Sequence, residues 1–180
     1  MRQLKILFFS FLIITGLQGC SKESLNEPVL NTTVSVKLNG TQSQYDEVWI
    51  EITDVLLKVI DNENAPNCWL SLKTSDNHIY NYIDITKTFN LDLVNEVNIP
   101  SGMIYEIKLV FGDNNRLIYN GKPINLNTNS VYQSSSGVRI DENLESNEQY
   151  IFNLEFETNN SILETPNENY YILQPILSLL

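Results

Sequence analysis

Apolar and polar residues alternate in one short segment after another along this chain, and turn-forming residues separate the segments. The clearest alternation runs from Tyr105 to Phe111, with Glu106, Lys108 and Val110 at the intervening positions. A period of two is typical of strands, because successive side chains of a strand point to opposite faces of the sheet. No stretch of ten or more residues combines a 3.6-residue apolar period with helix caps. The pattern therefore predicts one all-β domain over residues 32–180, either a sandwich or a barrel.

Four local signals predict the shape of individual strands. Asn39-Gly40 and Asn120-Gly121 are favoured hairpin pairs, since both positions of such a turn tolerate positive φ. The apolar phase of the strand predicted over residues 48–59 slips by one residue, which predicts a β-bulge or bend near Thr53-Asp54. Pro175 breaks the last strand. Proline lacks the N–H donor of a ladder, so we expect this position at an edge or a bulge.

The alternation also predicts which side chains form the core. We expect four alternate residues of one strand to be buried and to face, or lie beside, three alternate residues of a later strand. These are Tyr105, Ile107, Leu109 and Phe111, and Phe152, Leu154 and Phe156. Glu106 has the opposite phase, so we expect it on the solvent face, where an alanine substitution costs no more than about 0.5 kcal/mol.

The N-terminus has the layout of an export signal. Arg2 and Lys5 precede an apolar run of about a dozen residues, and Gly19 directly precedes Cys20. A transmembrane helix needs roughly 20 apolar residues, whereas the apolar part of a secretory signal needs only about 7–15. The segment resembles a bacterial lipoprotein signal, in which the cysteine sulfur carries diacylglycerol and becomes the first residue of the mature chain.

This resemblance divides the chain and locates it. It implies a cleaved signal over residues 1–19, a lipidated N-terminus and tether over 20–31, and attachment to the membrane through the lipid on Cys20. Residue 21 is Ser rather than Asp, which resembles a sorting signal for the outer membrane. The segment Ser21 to Ser24 is loosely similar to an export tag for cell-surface lipoproteins, so surface exposure is a further expectation.

Charge excludes one class of partner. The formal net charge is −11, and loss of Arg2 and Lys5 with the signal makes it −13. Nucleic-acid binding needs a basic surface, so we expect no nucleic-acid partner. A charge of this size also argues against electrostatic docking on anionic lipid and keeps the domain soluble and off the membrane surface. We also expect a monomer.

Few residues suit catalysis or metal binding, and we predict no catalytic residue, metal site or cofactor. With Cys20 acylated, Cys68 has no disulfide partner; it is either a reactive thiol or a small buried side chain beside Trp69. His78 is the one histidine, expected in a loop, and zinc sites need clusters of histidine and cysteine. The segment 61–64 offers oxygen ligands for calcium but lacks the glycine and distal glutamate of a standard loop, so a solvated acidic loop is the alternative.

Aromatic residues are the remaining candidates for ligand binding. Trp49 has the opposite phase from Val48 and Ile50, so its ring could stack on a sugar. Tyr80 and Tyr82 share one face of a predicted strand and could do the same. The alternative is that both faces of the long strand are covered and Trp49 belongs to the core.

Three segments resemble a family of bacterial lipoproteins known as domain of unknown function 4382. The first is residues 99–110, in which Lys108 replaces a usual arginine, and the second is residues 135–140. The third combines residues 152–157, 161–162 and 171–176, and in it Asn153 or Glu155 replaces a usual aspartate. The likeness extends over about residues 32–179. It implies a β-sandwich of the transthyretin or prealbumin kind, which is immunoglobulin-like, and it carries no activity and no catalytic residues.

These observations favour a lipid-anchored β-sandwich of the cell envelope with a non-enzymatic role in binding, adhesion or assembly. Its partner would be a glycan or an envelope protein. The alternative is a carbohydrate-binding module of a surface glycan-uptake system, for which an exposed aromatic row would be diagnostic. A third reading is a small hydrolase with paired carboxylates.

Overall fold

A computed structural model describes residues 30–74, 78–81, 91–128, 133–165 and 170–180. Within these ranges the chain forms thirteen strands and one four-residue helix. The strands are β1 (Asn31–Gly40), β2 (Glu47–Lys58), β3 (Trp69–Ser71), β4 (His78–Asn81), β5 (Leu91–Pro100), β6 (Gly102–Phe111), β7 (Arg116–Tyr119), β8 (Lys122–Thr128), β9 (Val138–Leu144), β10 (Gln149–Phe156), β11 (Ile162–Glu164), β12 (Tyr170–Leu173) and β13 (Leu177–Leu179). The helix, α1, is Thr158–Ser161.

The strands form two sheets. The smaller sheet has the order β13-β10-β1-β5, in which β1 is parallel to β10 and antiparallel to β5. The larger sheet has the order β11-β12-β8-β7-β2-β6-β9, and β3 and β4 also pair with β2. Nearly every described element is a strand, so the predicted all-β sandwich is confirmed.

The long strand β2 is the centre of the larger sheet. On one side its first half pairs with β7 and its second half with β6. On the other side its first half pairs with β4 and its second half with β3. The loop between β6 and β7 therefore lies where pairing of β2 changes from one of these strands to the other.

The core lies between the two sheets, as the alternation predicts. Leu109 of β6 and Leu154 of β10 are fully buried. The rings of Phe111 and Phe156 come from opposite sheets and have centroids 6.4 Å apart. The predicted facing of β6 and β10 is therefore confirmed.

The assignment of one residue, Tyr105, to the core is wrong. Tyr105 is only half-buried and Ile104 takes its place in the core at 1% exposure. The pairing of β6 with β9 is irregular here, since β9 contributes one residue more than β6 between the pairs Ile104–Glu142 and Glu106–Arg139. Tyr105 is the β6 residue opposite this interruption of the ladder. An ideal period of two does not anticipate such an interruption.

The predicted irregularity in β2 is confirmed. Its pairing with β6 shifts between Ile52 and Asp54, where β2 contributes one extra residue. Ile52 precedes the shift and Val55 follows it, and both are fully buried. The extra residue absorbs the phase slip, so the apolar side chains on both sides of it face the core.

The two Asn-Gly pairs have different outcomes. Asn120 and Gly121 have φ of 52° and 69° and join β7 to β8 as a hairpin, as predicted. The hairpin predicted at Asn39-Gly40 is wrong, because β1 continues in register with β10 as far as Gly40–Phe156. The chain then crosses to the other sheet to begin β2. A turn sequence permits a reversal, but here the pairing of β1 with β10 continues through it.

Pro175 lies where the chain changes sheets. β12 belongs to the larger sheet and β13 to the smaller one, and residues 174–176 connect them. The predicted break of the last strand at this proline is confirmed, and no ladder donor is needed there.

The predicted signal and the predicted tether up to residue 29, including Cys20, lie outside the described residues. Asn31, the last residue of the predicted tether, is instead the first residue of β1. In the part of the chain that the structure does describe, no helix has the length and apolar character needed to cross a membrane.

The buried position of Leu109 leads to a stability prediction. Leu109→Ala should lower the free energy of unfolding by roughly 2–5 kcal/mol, because it removes buried methyl groups and leaves a cavity. The matched control is Leu163→Ala, since Leu163 is 43% exposed and its truncation should cost no more than about 0.5 kcal/mol. Urea unfolding measures both. Equal costs for the two variants would contradict the described register of β6.

Candidate binding site

The outer face of the larger sheet carries a row of four directly paired residues. Trp69 of β3 pairs with Lys58 of β2, Lys58 pairs with Glu106 of β6, and Glu106 pairs with Arg139 of β9. Directly paired side chains on one face lie close enough to interact. The loop after β2 adds Asp61 and Glu63 to this row, and together the six residues form what we call the Lys58 network.

Lys58 is the centre of this network and is nearly inaccessible, with a side chain 6% exposed. Its ammonium Nζ lies 2.8 Å from Glu63 Oε1, 2.9 Å from Glu106 Oε1 and 3.6 Å from Asp61 Oδ1. The hydrogen bonds to Glu63 and Glu106 raise the pKa of Lys58 far above its ordinary value of 10.5. The amine is therefore protonated and is unsuited to nucleophilic chemistry, which needs a lowered lysine pKa.

Arg139 neutralises the acidic loop from the other end of the row. Its Nη1 and Nη2 donate to the two carboxylate oxygens of Asp61 at 3.0 and 3.1 Å, and its Nε donates to Asp141 at 2.7 Å. The hydrogen bond from Arg139 lowers the pKa of Asp61, and the hydrogen bond from Lys58 lowers the pKa of Glu63. These carboxylates thus pair with cations of the chain itself, which disfavours the calcium interpretation of this loop.

Two aromatic rings, that of Trp69 in the network and that of Tyr105 beside it, contact cations. The Lys108 ammonium lies 3.9 Å from the centroid of the Trp69 ring, and the Arg139 guanidinium lies 5.5 Å from the centroid of the Tyr105 ring. Cations over aromatic faces are attracted by the ring quadrupole. The charges of the Lys58 network are therefore paired within the chain, which is typical of a structural cluster.

Glu106 lies on the outer face as predicted, but it is not a solvated surface residue. Its side chain is 19% exposed and bonds to Lys58. Gly137 approaches so closely that a Cβ there would lie 2.2 Å from Glu106 Oε2. The expectation of a negligible cost for Glu106→Ala is therefore replaced below by a larger one.

A second region of the same outer face forms an open pocket of about 470 Å³. Its lining residues are Trp49, Ile79, Asp113, Asn114, Asn115 and Arg116. We call it the Trp49 pocket. Trp49 is directly paired with Arg116 of β7 on one side and with Asn81 of β4 on the other. The pocket thus lies across the centre of the larger sheet, opposite the face that builds the core.

The Trp49 ring is held in place by two neighbours. Its indole Nε1 donates to Glu47 Oε2 at 2.7 Å, and the Arg116 guanidinium lies 4.7 Å from the ring centroid. The side chain is half-buried rather than part of the core. The outward orientation predicted from its phase is confirmed, and the alternative of a core tryptophan is wrong.

The polar rim of the pocket is the loop between β6 and β7, and Glu51 fixes this loop. Gly112 N donates to the Glu51 carbonyl, and Glu51 N donates to the Asn115 side chain at 2.9 Å. Asn114 donates to Glu51 Oε2 from its backbone and from its side chain, at 3.0 and 2.9 Å. These bonds take the place of the pairing between strands that is missing at this loop. They hold the polar groups of the loop in one arrangement.

The other predicted stacking residues do not join Trp49. Tyr80 pairs with the buried Ile50 and packs against the core, so it lies on the opposite side of the sheet from Trp49. Tyr82 lies outside the described residues. Ile79, which sequence reasoning passed over, lines the pocket instead and is 44% exposed.

Cys68 and His78, the two residues weighed above for catalysis, have ordinary positions in the structure. Cys68 is 7% exposed, and its Sγ lies 3.8 Å from the Glu63 carbonyl oxygen. The interpretation as a small buried side chain is therefore confirmed. The loop position expected for His78 is wrong, because His78 begins β4 and pairs with Ile52.

A further pocket, of about 450 Å³, lies between the end of β2, β3 and the start of β6. Apolar side chains including Val59, Leu70 and Met103 line it together with Trp69. Ser101, which also lines it, bonds to the carbonyl of Leu30. This pocket is therefore at the end of the domain where the described chain begins.

Comparison with known proteins shows the family of this chain. The sequence model of a family described as a domain of unknown function, DUF4382, matches residues 31–175. The chain belongs to the DUF4382 family. No curated protein and no solved structure matches this chain significantly.

Two of the three segments that resemble this family meet in the Lys58 network. Residues 99–110 include β6 and residues 135–140 include the start of β9, and these strands pair directly. They supply Glu106, Lys108 and Arg139. In this DUF4382 domain, the segments behind the resemblance therefore build a cluster of ion pairs on the outer face.

The position of Glu106 leads to a prediction about the network. Glu106→Ala should lower the free energy of unfolding by roughly 1–3 kcal/mol, because it removes a charge-assisted bond to a nearly inaccessible ammonium. Glu142→Ala is the control, since Glu142 lies on the neighbouring strand β9 and is exposed. Its cost should stay within about 0.5 kcal/mol. Urea unfolding that gives the two variants the same midpoint would show that Glu106 behaves as a surface residue.

The lowered carboxylate pKa values predict a pH dependence. The ordinary values are 3.8 for Asp61 and 4.5 for Glu63, and both fall in the folded state. A group with a lowered folded pKa contributes stability above its unfolded pKa and loses it as pH falls through the folded pKa. The urea midpoint should therefore fall as the pH is lowered from roughly 6 to about 3.

Glu63→Gln provides the control for this pH dependence, because glutamine does not titrate. Its urea midpoint should fall less steeply over the same range than that of the unmodified chain. Added salt should narrow the difference between them, since both carboxylates are partly exposed and salt screens such pairs. Identical pH profiles for the two proteins would contradict the assigned role of Glu63.

Proposed function

We propose that this chain is a lipid-anchored binding protein of the bacterial cell envelope, attached through Cys20 at the outer membrane and without enzymatic activity. The anchor would hold the DUF4382 domain close to the membrane. The domain would then present the outer face of its larger sheet to a ligand or partner.

The observation that carries the binding role is the Trp49 pocket. It is open on the sheet face opposite the core, and it combines an aromatic residue with fixed polar groups. Binding pockets commonly combine apolar lining with a few well-placed polar groups. Lys58 is protonated and paired, and Cys68 is buried, so neither side chain supports a catalytic role.

The observation that supports the anchor is the order of residues at the N-terminus. A basic start and a short apolar run lead to Gly19 and Cys20. Two or three acyl chains hold a protein firmly, at about 0.8 kcal/mol per buried methylene. The strongly acidic chain is unsuited to electrostatic attachment to anionic lipid, so the lipid itself would provide the attachment.

The anchor is tested by metabolic labelling with an alkyne analogue of palmitate in a bacterial host that processes lipoproteins. The chain has two cysteines, so Cys68→Ala is a matched control. The unmodified chain and Cys68→Ala should incorporate label and fractionate with outer membranes. Cys20→Ala should do neither, because it lacks the acceptor sulfur. Equal labelling of Cys20→Ala would overturn the proposed attachment.

A further inference from the structure

The charges around the Trp49 pocket restrict what it can bind. Among the described residues, the carboxylates of Glu47, Glu51 and Asp113 lie in or next to the pocket, whereas Arg116 is the one cation that lines it. An anionic ligand would therefore meet more like charge than opposite charge. A cationic ligand would meet the like charge of Arg116 beside the Trp49 ring. The surroundings thus favour an uncharged ligand.

The side chains of the pocket also indicate the chemistry of that ligand. Trp49 and the exposed Ile79 provide apolar surface. Arg116 provides donors, and its guanidinium lies 4.7 Å from the centroid of the Trp49 ring. Asp113 and Asn114 provide an acceptor and an amide on the rim. A pyranose ring matches this set, because it has a face of C–H groups and a rim of hydroxyls that both donate and accept.

The polar groups are held in place before any ligand arrives. Glu51 bonds to Asn114 and Asn115, and Thr128 Oγ1 donates to Asp113 Oδ1 at 3.2 Å. Preorganised groups avoid an entropic cost of ordering on binding. The pocket volume of about 470 Å³ also lies in the usual range for small-molecule sites, roughly 300–1,000 Å³.

We propose that the Trp49 pocket binds a neutral sugar unit of a glycan. Trp49 and Ile79 contact the apolar face of the sugar, and Arg116, Asp113 and Asn114 bond to its hydroxyls. This inference names the ligand class of the proposed binding function and rests on it. The Lys58 network is outside the contact area and supports the sheet.

Tryptophan fluorescence tests this inference directly. The chain has two tryptophans, Trp49 and Trp69, so Trp69→Phe leaves Trp49 as the one reporter. The full chain is studied in a detergent without a sugar headgroup and titrated with neutral hexasaccharides of glucose, xylose and mannose. Polygalacturonate and chitosan are the anionic and cationic comparisons. We expect a saturable change in emission with at least one neutral sugar and none with the charged polymers.

Variants then assign the binding to the pocket. Calorimetry measures binding by variants that retain Trp69. Trp49→Ala should weaken binding of that sugar by about tenfold or more, as truncation of a central aromatic contact does. Asp113→Asn keeps the size of the side chain, and it should also weaken binding while leaving the urea midpoint nearly unchanged. Glu142→Ala, on the same sheet but outside the pocket, should bind as the unmodified chain does.

Three results would overturn the inference. They are no saturable response to any neutral hexasaccharide, a response to a charged polymer instead, and unchanged binding by both Trp49→Ala and Asp113→Asn. None of these results bears on the proposed anchor, which the labelling of Cys20→Ala tests separately. If the protein is labelled but binds no neutral sugar, the proposed envelope location stands and the proposed glycan ligand is wrong.

Discussion

The pairing of β2 with strands on both of its sides is the constraint on which the larger sheet depends. Trp49 and Lys58 are nine residues apart, an odd separation that would place them on opposite faces of a regular strand. The extra residue between Ile52 and Asp54 restores both to the outer face. Because of this bulge, one strand buries apolar side chains along its whole length and still presents two polar regions on one surface.

These two regions differ in how their charges are satisfied. In the Lys58 network each cation contacts a carboxylate of the chain, and Trp69 is covered by Lys108. A paired cluster of this kind fixes loops and strand ends. In the Trp49 pocket the hydrogen bonds fix the loop between β6 and β7, and Arg116 lies over the Trp49 ring as Lys108 lies over Trp69. We assign support to the first region because ion pairs link its strands and loop, and binding to the second because its polar groups line an open pocket.

Local sequence signals predicted several features correctly because their causes are local. The bulge near Thr53, the hairpin at Asn120 and the break at Pro175 follow from side-chain phase, positive φ and a missing N–H donor. The failures all involve a distant partner. Asn39-Gly40 does not form a hairpin, since β1 continues beside β10, and Tyr105 leaves the core at an irregularity in its pairing with β9.

The sequence by itself determined that the chain is a β protein with one face of each major strand buried, because alternation at a period of two leaves few other solutions. It also determined the net charge and the predicted acceptor Cys20. Only the tertiary structure decided which polar residues meet. Lys58 and Arg139 are 81 positions apart in sequence and share Asp61, and Trp49 meets Arg116 across β2 and β7. Such contacts depend on strand order and register, which the burial of two sheets against each other fixes and no short segment encodes.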